Sequence, residues 1–424
     1  MAGGPHCNDP VRPRPEPGCG CRMSRYHVPV LEVRAGGDVL HGGLPPGIVA
    51  MCHRQSTHAA GKTAGGGPLH GSAEREPVEW TGGARVKHER RREIRADDPA
   101  LLWAGAIEVE HTSGFSRPWR LPHSRISLFP GDMLRRRAAM AAGIRIVLGT
   151  DSTHFSGRFS PVGGDELSPV DLLVDGEPVR TRTLTAEGSF RFDGLPAGDR
   201  TLELWLPQFG ESRLRGLSVD AHARVWRAEP PSRPALVVYG SSITHGRQAA
   251  SPTRTWPALT ARALGYDLTC LGYAGECHLD PMVARLVRDR PADLIVTCLG
   301  INVRSQGTFT ERSFLPAVLG FLSSVRDGHP GVPLAVISPI VSPSKENTTG
   351  PGGMTLAQIR RAVGEAVTLL GEHGDTDLHL IDGPDILGQP DAGLLTDGVH
   401  PGPEGHELMA RRLAPELKNL MAHH

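Results

Sequence analysis

The chain has 424 residues, and its 46 lysines and arginines balance 46 aspartates and glutamates. A net charge of zero gives the whole molecule no electrostatic pull toward nucleic acid or an anionic membrane. No run approaches the roughly 18 to 20 apolar residues of a membrane helix, and the opening "MAGGPHCNDPVRPRPEPGCGC" lacks the apolar core of a secretory signal, so the sequence predicts a cytoplasmic protein.

Residues 1–97 are rich in Gly, Pro, His and Arg and carry no sustained strand or helix period. They bury too little apolar surface to offset the entropy of ordering, and a disordered N-terminal extension is expected. Within it, "AAGKTAGGG" has the look of a phosphate loop, but Ser56 stands where the first glycine of that motif belongs and no strand leads into it. Cys7, Cys19 and Cys21 lack the fourth ligand and paired spacing of a zinc site. The basic run "RVKHERRREIR", Arg85 to Arg95, reads as a solvated linker.

From 98 to 228 short strands alternate with turn residues: "GIRIVLGTD", "VDLLVDGEPV", "SFRFDGLPAG" and "TLELWLPQFG". Asp-Gly and Pro-Ala-Gly turns and hardly any helix predict a small β-sandwich accessory domain. Leu202, Leu204 and Leu206 fall on one face of a strand, with Glu203 and Trp205 on the other. The sandwich tryptophans fit packing between domains better than stacking on a sugar. The proline-dense "AEPPSRP", Ala228 to Pro234, reads as a linker.

Residues 229–424 change rhythm to strand and helix in alternation. Apolar strands fall at "ALVVYG", "YDLTCLG", "ADLIVTCLG", "PLAVISPI" and "DLHLID", with helices between them near 255–264, 279–290, 311–327 and 355–372. This pattern predicts a three-layer α/β/α domain with a five-stranded parallel sheet. Thr355 and Gln358 have capping-box spacing, and Pro403 opens the last helix. Cys270, Cys277 and Cys298 lie in or beside apolar segments and behave as small hydrophobes.

Ligands of open parallel sheets sit at the carboxyl ends of the strands. After the first strand come Ser241 and Ser242; after the second, Gly275; after the third, Asn302; after the last, Asp397 and His400. A serine hydroxyl needs a base, imidazole titrates nearest neutrality, and a carboxylate fixes its tautomer. Backbone N–H groups of Ser242 and Gly275 and the side-chain amide of Asn302 are candidate donors to an oxyanion. His245, His278 and His406 read as structural or exposed. Asp382 fits turn chemistry, and Arg254 with Trp256 in "SPTRTWP" are candidate substrate contacts.

"GSSIT", "GYAGE", "GIN" and "DGVHP" resemble, in order, the four sequence blocks of SGNH (GDSL-type) hydrolases. The resemblance covers about 229–424 and implies Ser242 as nucleophile, Asp397 and His400 as its triad partners, and Gly275 and Asn302 as oxyanion donors. Ser241 replaces the usual Asp of the first block and Val303 the Asp that often follows the Asn of the third; neither position supplies a triad member. The part from about 98, including "ELWLP", resembles the N-terminal β-domain of a subset of these enzymes, among them carbohydrate-esterase-like proteins and polyketide-tailoring acyltransferases. Thr244 breaks the G-x-S-x-G pattern of the larger α/β-hydrolases.

The expected function is a serine esterase that needs no metal or cofactor and hydrolyses small, acetyl-like esters of a carbohydrate or polyol-like metabolite. Two alternatives stay open. One is an acyltransferase moving the acyl group to an acceptor alcohol in secondary metabolism; the other is a non-catalytic glycan-binding protein on a hydrolase-like scaffold.

Overall fold

The computed structural model describes residues 90–160, 162, 167–229 and 232–422. The segments with Cys7, Cys19, Cys21 and the phosphate-loop-like "AAGKTAGGG" lie outside the described residues, as do Pro230 and Pro231 of the linker. The end of the expected extension is part of the fold. Arg91–Arg95 is a strand paired antiparallel with Arg213–Asp220, and Ile94 of the basic run is buried in the sandwich core. One inward apolar residue among outward cations is enough to seat an edge strand, and that pattern is too short to show as a period.

Two six-stranded antiparallel sheets stack around this core. In one, Arg200–Trp205 runs between Arg145–Thr150 and Val170–Val174. Its alternation sorts the side chains: Leu202 and Leu204, with Leu206 just beyond, enter the sandwich core, whereas Trp205 joins a cluster with Leu236 and Leu268 of the α/β layers. Trp205 therefore packs between the two parts of the chain.

Polar contacts cross the same boundary. Arg145 is buried, its guanidinium 5.1 Å from the Trp205 ring centroid, and it pairs with Asp267. Burial lowers its pKa to about 10. Asp171 is buried too and accepts hydrogen bonds from Ser251 Oγ at 2.6 Å, Thr253 N at 2.8 Å and Thr253 Oγ1 at 2.6 Å. Through such contacts the described residues of the sandwich and of the α/β part form one compact unit.

The α/β part is a five-stranded parallel sheet of Ala235–Gly240, Asp267–Gly272, Leu294–Cys298, Leu334–Ile337 and Leu378–Ile381. In space the second strand lies outside the first, followed by the third, fourth and fifth. Chain direction across the sheet thus reverses beside the first strand, and the crevice of such a fold opens there.

Alternate strand residues serve two cores. Val237, Tyr239 and Leu271 meet the helices Pro281–Arg288, Glu311–Arg326 and Leu356–Glu372, while Leu236, Val238 and Cys270 meet Trp256–Leu264 and Pro403–Ala422. Each fully buried Val or Leu here contributes roughly 1.5–3 kcal/mol. The capping box forms as the spacing implies: Thr355 N donates to Gln358 Oε1 at 2.8 Å and Gln358 N to Thr355 Oγ1 at 3.1 Å. No helix among the described residues is long and apolar enough to cross a membrane.

Candidate active site

The first strand ends at Gly240 because nothing larger fits. A Cβ there would lie 2.2 Å from Thr244 Oγ1, and one on the adjacent Gly272 would lie 2.3 Å from the His245 amide nitrogen. These two bare positions let the one-turn helix Ser242–His245 sit directly on the strand ends. Ser241 is its N-cap, accepting from Ile243 N at 3.3 Å, and Gly246 closes it at φ 93°. Ser241, where the family has Asp, is fully buried and does a cap's work; Val303, at the other departure, is a buried core residue.

Ser242 is only 7 % exposed, and its Oγ lies 2.8 Å from His400 Nε2. On the other side of the ring, His400 Nδ1–H donates to Asp397 Oδ2 at 2.7 Å. That bond sets the tautomer, leaving Nε2 to accept the serine proton. The other carboxylate oxygen, Asp397 Oδ1, accepts the backbone N–H groups of His400 at 2.8 Å and Val399 at 3.1 Å. Burial pushes this carboxyl up, but the bonds from the His400 ring and the two amides outweigh it and bring the pKa to about 2.

Gly275 turns the loop after the second strand at φ +81°, a conformation that favours glycine. Its carbonyl accepts from Gln306 Nε2. Asn302 lies at the start of the helix Ile301–Gln306, 7 % exposed, and its Oδ1 accepts Cys277 N at 3.1 Å. Holding the oxygen end in this way leaves the amide nitrogen as the end available to the cavity. Ser242, Gly275, Asn302 and His400 together line a pocket of about 520 Å³, a size suited to a small ligand.

The other three histidines weighed for the site, His245, His278 and His406, have partners within the fold. His245 is fully buried, stacked 4.3 Å from the Phe209 ring; its Nε2–H donates to Gln208 O at 2.6 Å and its Nδ1 accepts Ala274 N at 3.2 Å. Burial, and then the nearby Arg120 cation, hold it neutral, well below the usual histidine range. His406 accepts Trp256 N at 3.3 Å and donates to Arg247 O at 2.9 Å. His278 pairs with Thr308 Oγ1 at 2.8 Å, and Asp382 accepts from Ser338 Oγ at 2.6 Å in a turn.

Two expected substrate contacts are corrected. Trp256 is fully buried among the sheet and the last helix, because Thr255 caps the helix it opens and turns it inward. Arg254 forms an ion pair with Glu407 and lines a different cavity, next to Thr181 and Ser251.

Sequence reasoning missed the cations. Arg137, Arg247, Arg304 and Lys345 line the Ser242 pocket, and Arg137 comes from the sandwich side, in the helix Asp132–Ala138. Arg247 and Arg304 stand close to Ser242 and Asn302 in the chain and were findable from the motifs; no local signal marks Arg137.

The fold and the aligned serine, histidine and aspartate define an SGNH-type α/β/α protein preceded by a β-sandwich. The model of the GDSL-like lipase/acylhydrolase family matches residues 233–418, and that of the SsfX3 N-terminal domain matches 101–215. Among solved structures, the salicylyl-acyltransferase SsfX3 from a tetracycline biosynthetic pathway is 36% identical with a TM-score of 0.72, over 78% of this chain and 98% of that one. The chain belongs to the GDSL-like lipase/acylhydrolase family. A Bacteroides ovatus protein described as a GDSL-like lipase shares the fold at 20% identity and a TM-score of 0.66, over 78% of this chain and 98% of that one. A family two carbohydrate esterase from Clostridium thermocellum does so at 19% and 0.56, over 76% of this chain and 99% of that one. Comparison with curated proteins found no match.

Proposed function

We propose that the protein moves an acyl group through Ser242. The observation that carries this is the hydrogen-bonded line from Ser242 Oγ through His400 to Asp397 in a pocket that also presents Gly275 and Asn302. Ser242 Oγ attacks the ester carbonyl as its proton passes to His400 Nε2. The oxyanion that forms is held by Ser242 N–H, Gly275 N–H and the Asn302 amide; the ester C–O bond then breaks and His400 returns the proton to the leaving alcohol. No metal or cofactor has a part in these steps.

The acyl-serine is discharged by water in an esterase or by an acceptor alcohol in a transferase. The 36% identity to a salicylyl-acyltransferase along nearly all of that protein favours transfer as the second reading. A carbohydrate as the alcohol draws less support, since no Trp, Tyr or Phe among the described residues lines the pocket to stack on a sugar face. The same fact weakens the reading of this pocket as a glycan-binding site.

Intact mass after treatment with a fluorophosphonate tests the proposal. One adduct on the wild type, absent from a folded Ser242→Ala variant, is the expected result. A folded wild type that takes no adduct overturns it.

A further inference from the structure

A protein whose charges cancel overall has gathered four cations around one small cavity. Of the twelve described residues lining the Ser242 pocket, Arg137, Arg247, Arg304 and Lys345 are cationic and none is a carboxylate. Three of the four lack a balancing anion: no carboxylate among the described residues forms an ion pair with Arg247, Arg304 or Lys345. Arg304 donates one hydrogen bond, from Nη2 to Thr348 O at 2.7 Å, while its Nε is buried with no partner. Glu346, next to Lys345 in sequence, is engaged elsewhere, with Arg360 at 3.0 Å and the Ser342 amide at 3.1 Å.

Like charges held around a cavity repel one another, and no carboxylate among the described residues pairs with these three to offset that. The arrangement is favourable once an anion enters. A guanidinium fork matches the geometry of a carboxylate or phosphate, and an ammonium adds a point charge beside it. Low-dielectric walls focus the positive potential into the cavity and raise the local concentration of anions. A neutral ester would leave the same cations uncompensated.

We propose that the Ser242 pocket takes an acyl ester bearing a carboxylate or phosphate group, which Arg247, Arg304 and Lys345 bind while Ser242 engages the carbonyl. This rests on the reading of Ser242 as nucleophile for its chemistry, but not for its binding. The anion belongs either to the acyl group or to the alcohol portion of the ester.

Two measurements on the full chain test it separately. Calorimetric titration of Ser242→Ala with phenyl phosphate, benzoate and neutral benzyl alcohol reads binding alone. Either anion should bind at least about tenfold more tightly than the alcohol at low salt. The preference should shrink as salt screens it, fall by about tenfold in Arg247→Gln/Lys345→Gln, and return in part with Arg247→Gln/Lys345→Arg. Turnover of phenyl hemisuccinate, 4-acetoxyphenyl phosphate and neutral phenyl acetate by the wild type then locates the charge, since the first carries it on the acyl side and the second on the alcohol side. Equal affinity for anions and alcohol at low salt, or an anion preference unmoved by the double substitution, overturns the proposal even where the fluorophosphonate labels Ser242. Anion binding without labelling leaves this proposal standing and removes the acyl-serine reading instead.

Discussion

The guanidinium of Arg120, in the sandwich, donates to the carbonyl of Gly272, the last residue of the second strand of the parallel sheet. The same fully buried side chain donates to Met140 O at 2.7 Å and Cys270 O at 3.3 Å, and lies 3.4 Å from both ring nitrogens of His245. His245 in turn receives the amide of Ala274, next to Gly275. The sandwich therefore holds the loop that carries a proposed oxyanion donor. Arg120→Lys keeps the charge and loses the fork, so the loop should relax. Turnover should fall about 10- to 100-fold with KM changed little, and denaturant unfolding should show a loss of about 3 kcal/mol. A loss of stability with unchanged turnover would leave Arg120 a purely structural residue.

Asn302 offers a sharper test, because its two ends have different partners. Asn302→Ala removes the amide, and kcat should fall about 10²- to 10³-fold with a smaller change in KM. Asn302→Asp retains an oxygen for Cys277 N but loses the donor, so it should fare no better than alanine. Recovery of turnover in the aspartate variant would show that Asn302 only positions the Cys277 loop.

The meeting of Ser242, Gly275, Asn302, Asp397 and His400 was legible because a parallel sheet brings its strand ends to one edge, and each residue follows a strand closely or lies in the loop just before the last helix. The two cores were legible from continuous apolar strands, which only helices on both faces can cover. Arg120 and Arg137 were not, since their partners Gly272 and Ala274 lie more than a hundred residues away and meet them only when the sandwich docks. Trp256 misled for a related reason. Beside Arg254 it looked like a cleft residue, but the Thr255 cap settles its direction, and that direction is inward.

Asp397 carries a prediction about pH as well as mutation. Its folded pKa of about 2 is below the ordinary 3.8, so it stays a carboxylate until the pH falls through about 2. Loss of activity at milder acidity must then come from another group. Asp397→Asn should lower kcat about 10³- to 10⁴-fold at neutral pH, because the ring loses the partner that fixes its tautomer and stabilises its charged form. Parallel loss of the fluorophosphonate labelling rate would place the effect on serine activation. Unchanged labelling would remove Asp397 from that role.

His406 links the fold itself to pH. Burial drops its pKa from 6.5 to about 4, so between those values the unfolded chain binds a proton that the folded chain does not. Stability is then complete above pH 6.5 and is lost as the pH falls toward 4, by up to about 1.4 kcal/mol per pH unit for this one group. His245, also held neutral by burial, adds a slope of the same sign. Denaturant midpoints measured from pH 7.5 down to 4.5 should therefore fall steadily. His406→Gln removes the titration and should flatten the curve, at the cost of a lower plateau near neutrality because Trp256 N or Arg247 O loses its partner. A variant with the wild-type slope would mean that His406 protonates equally well in the folded chain.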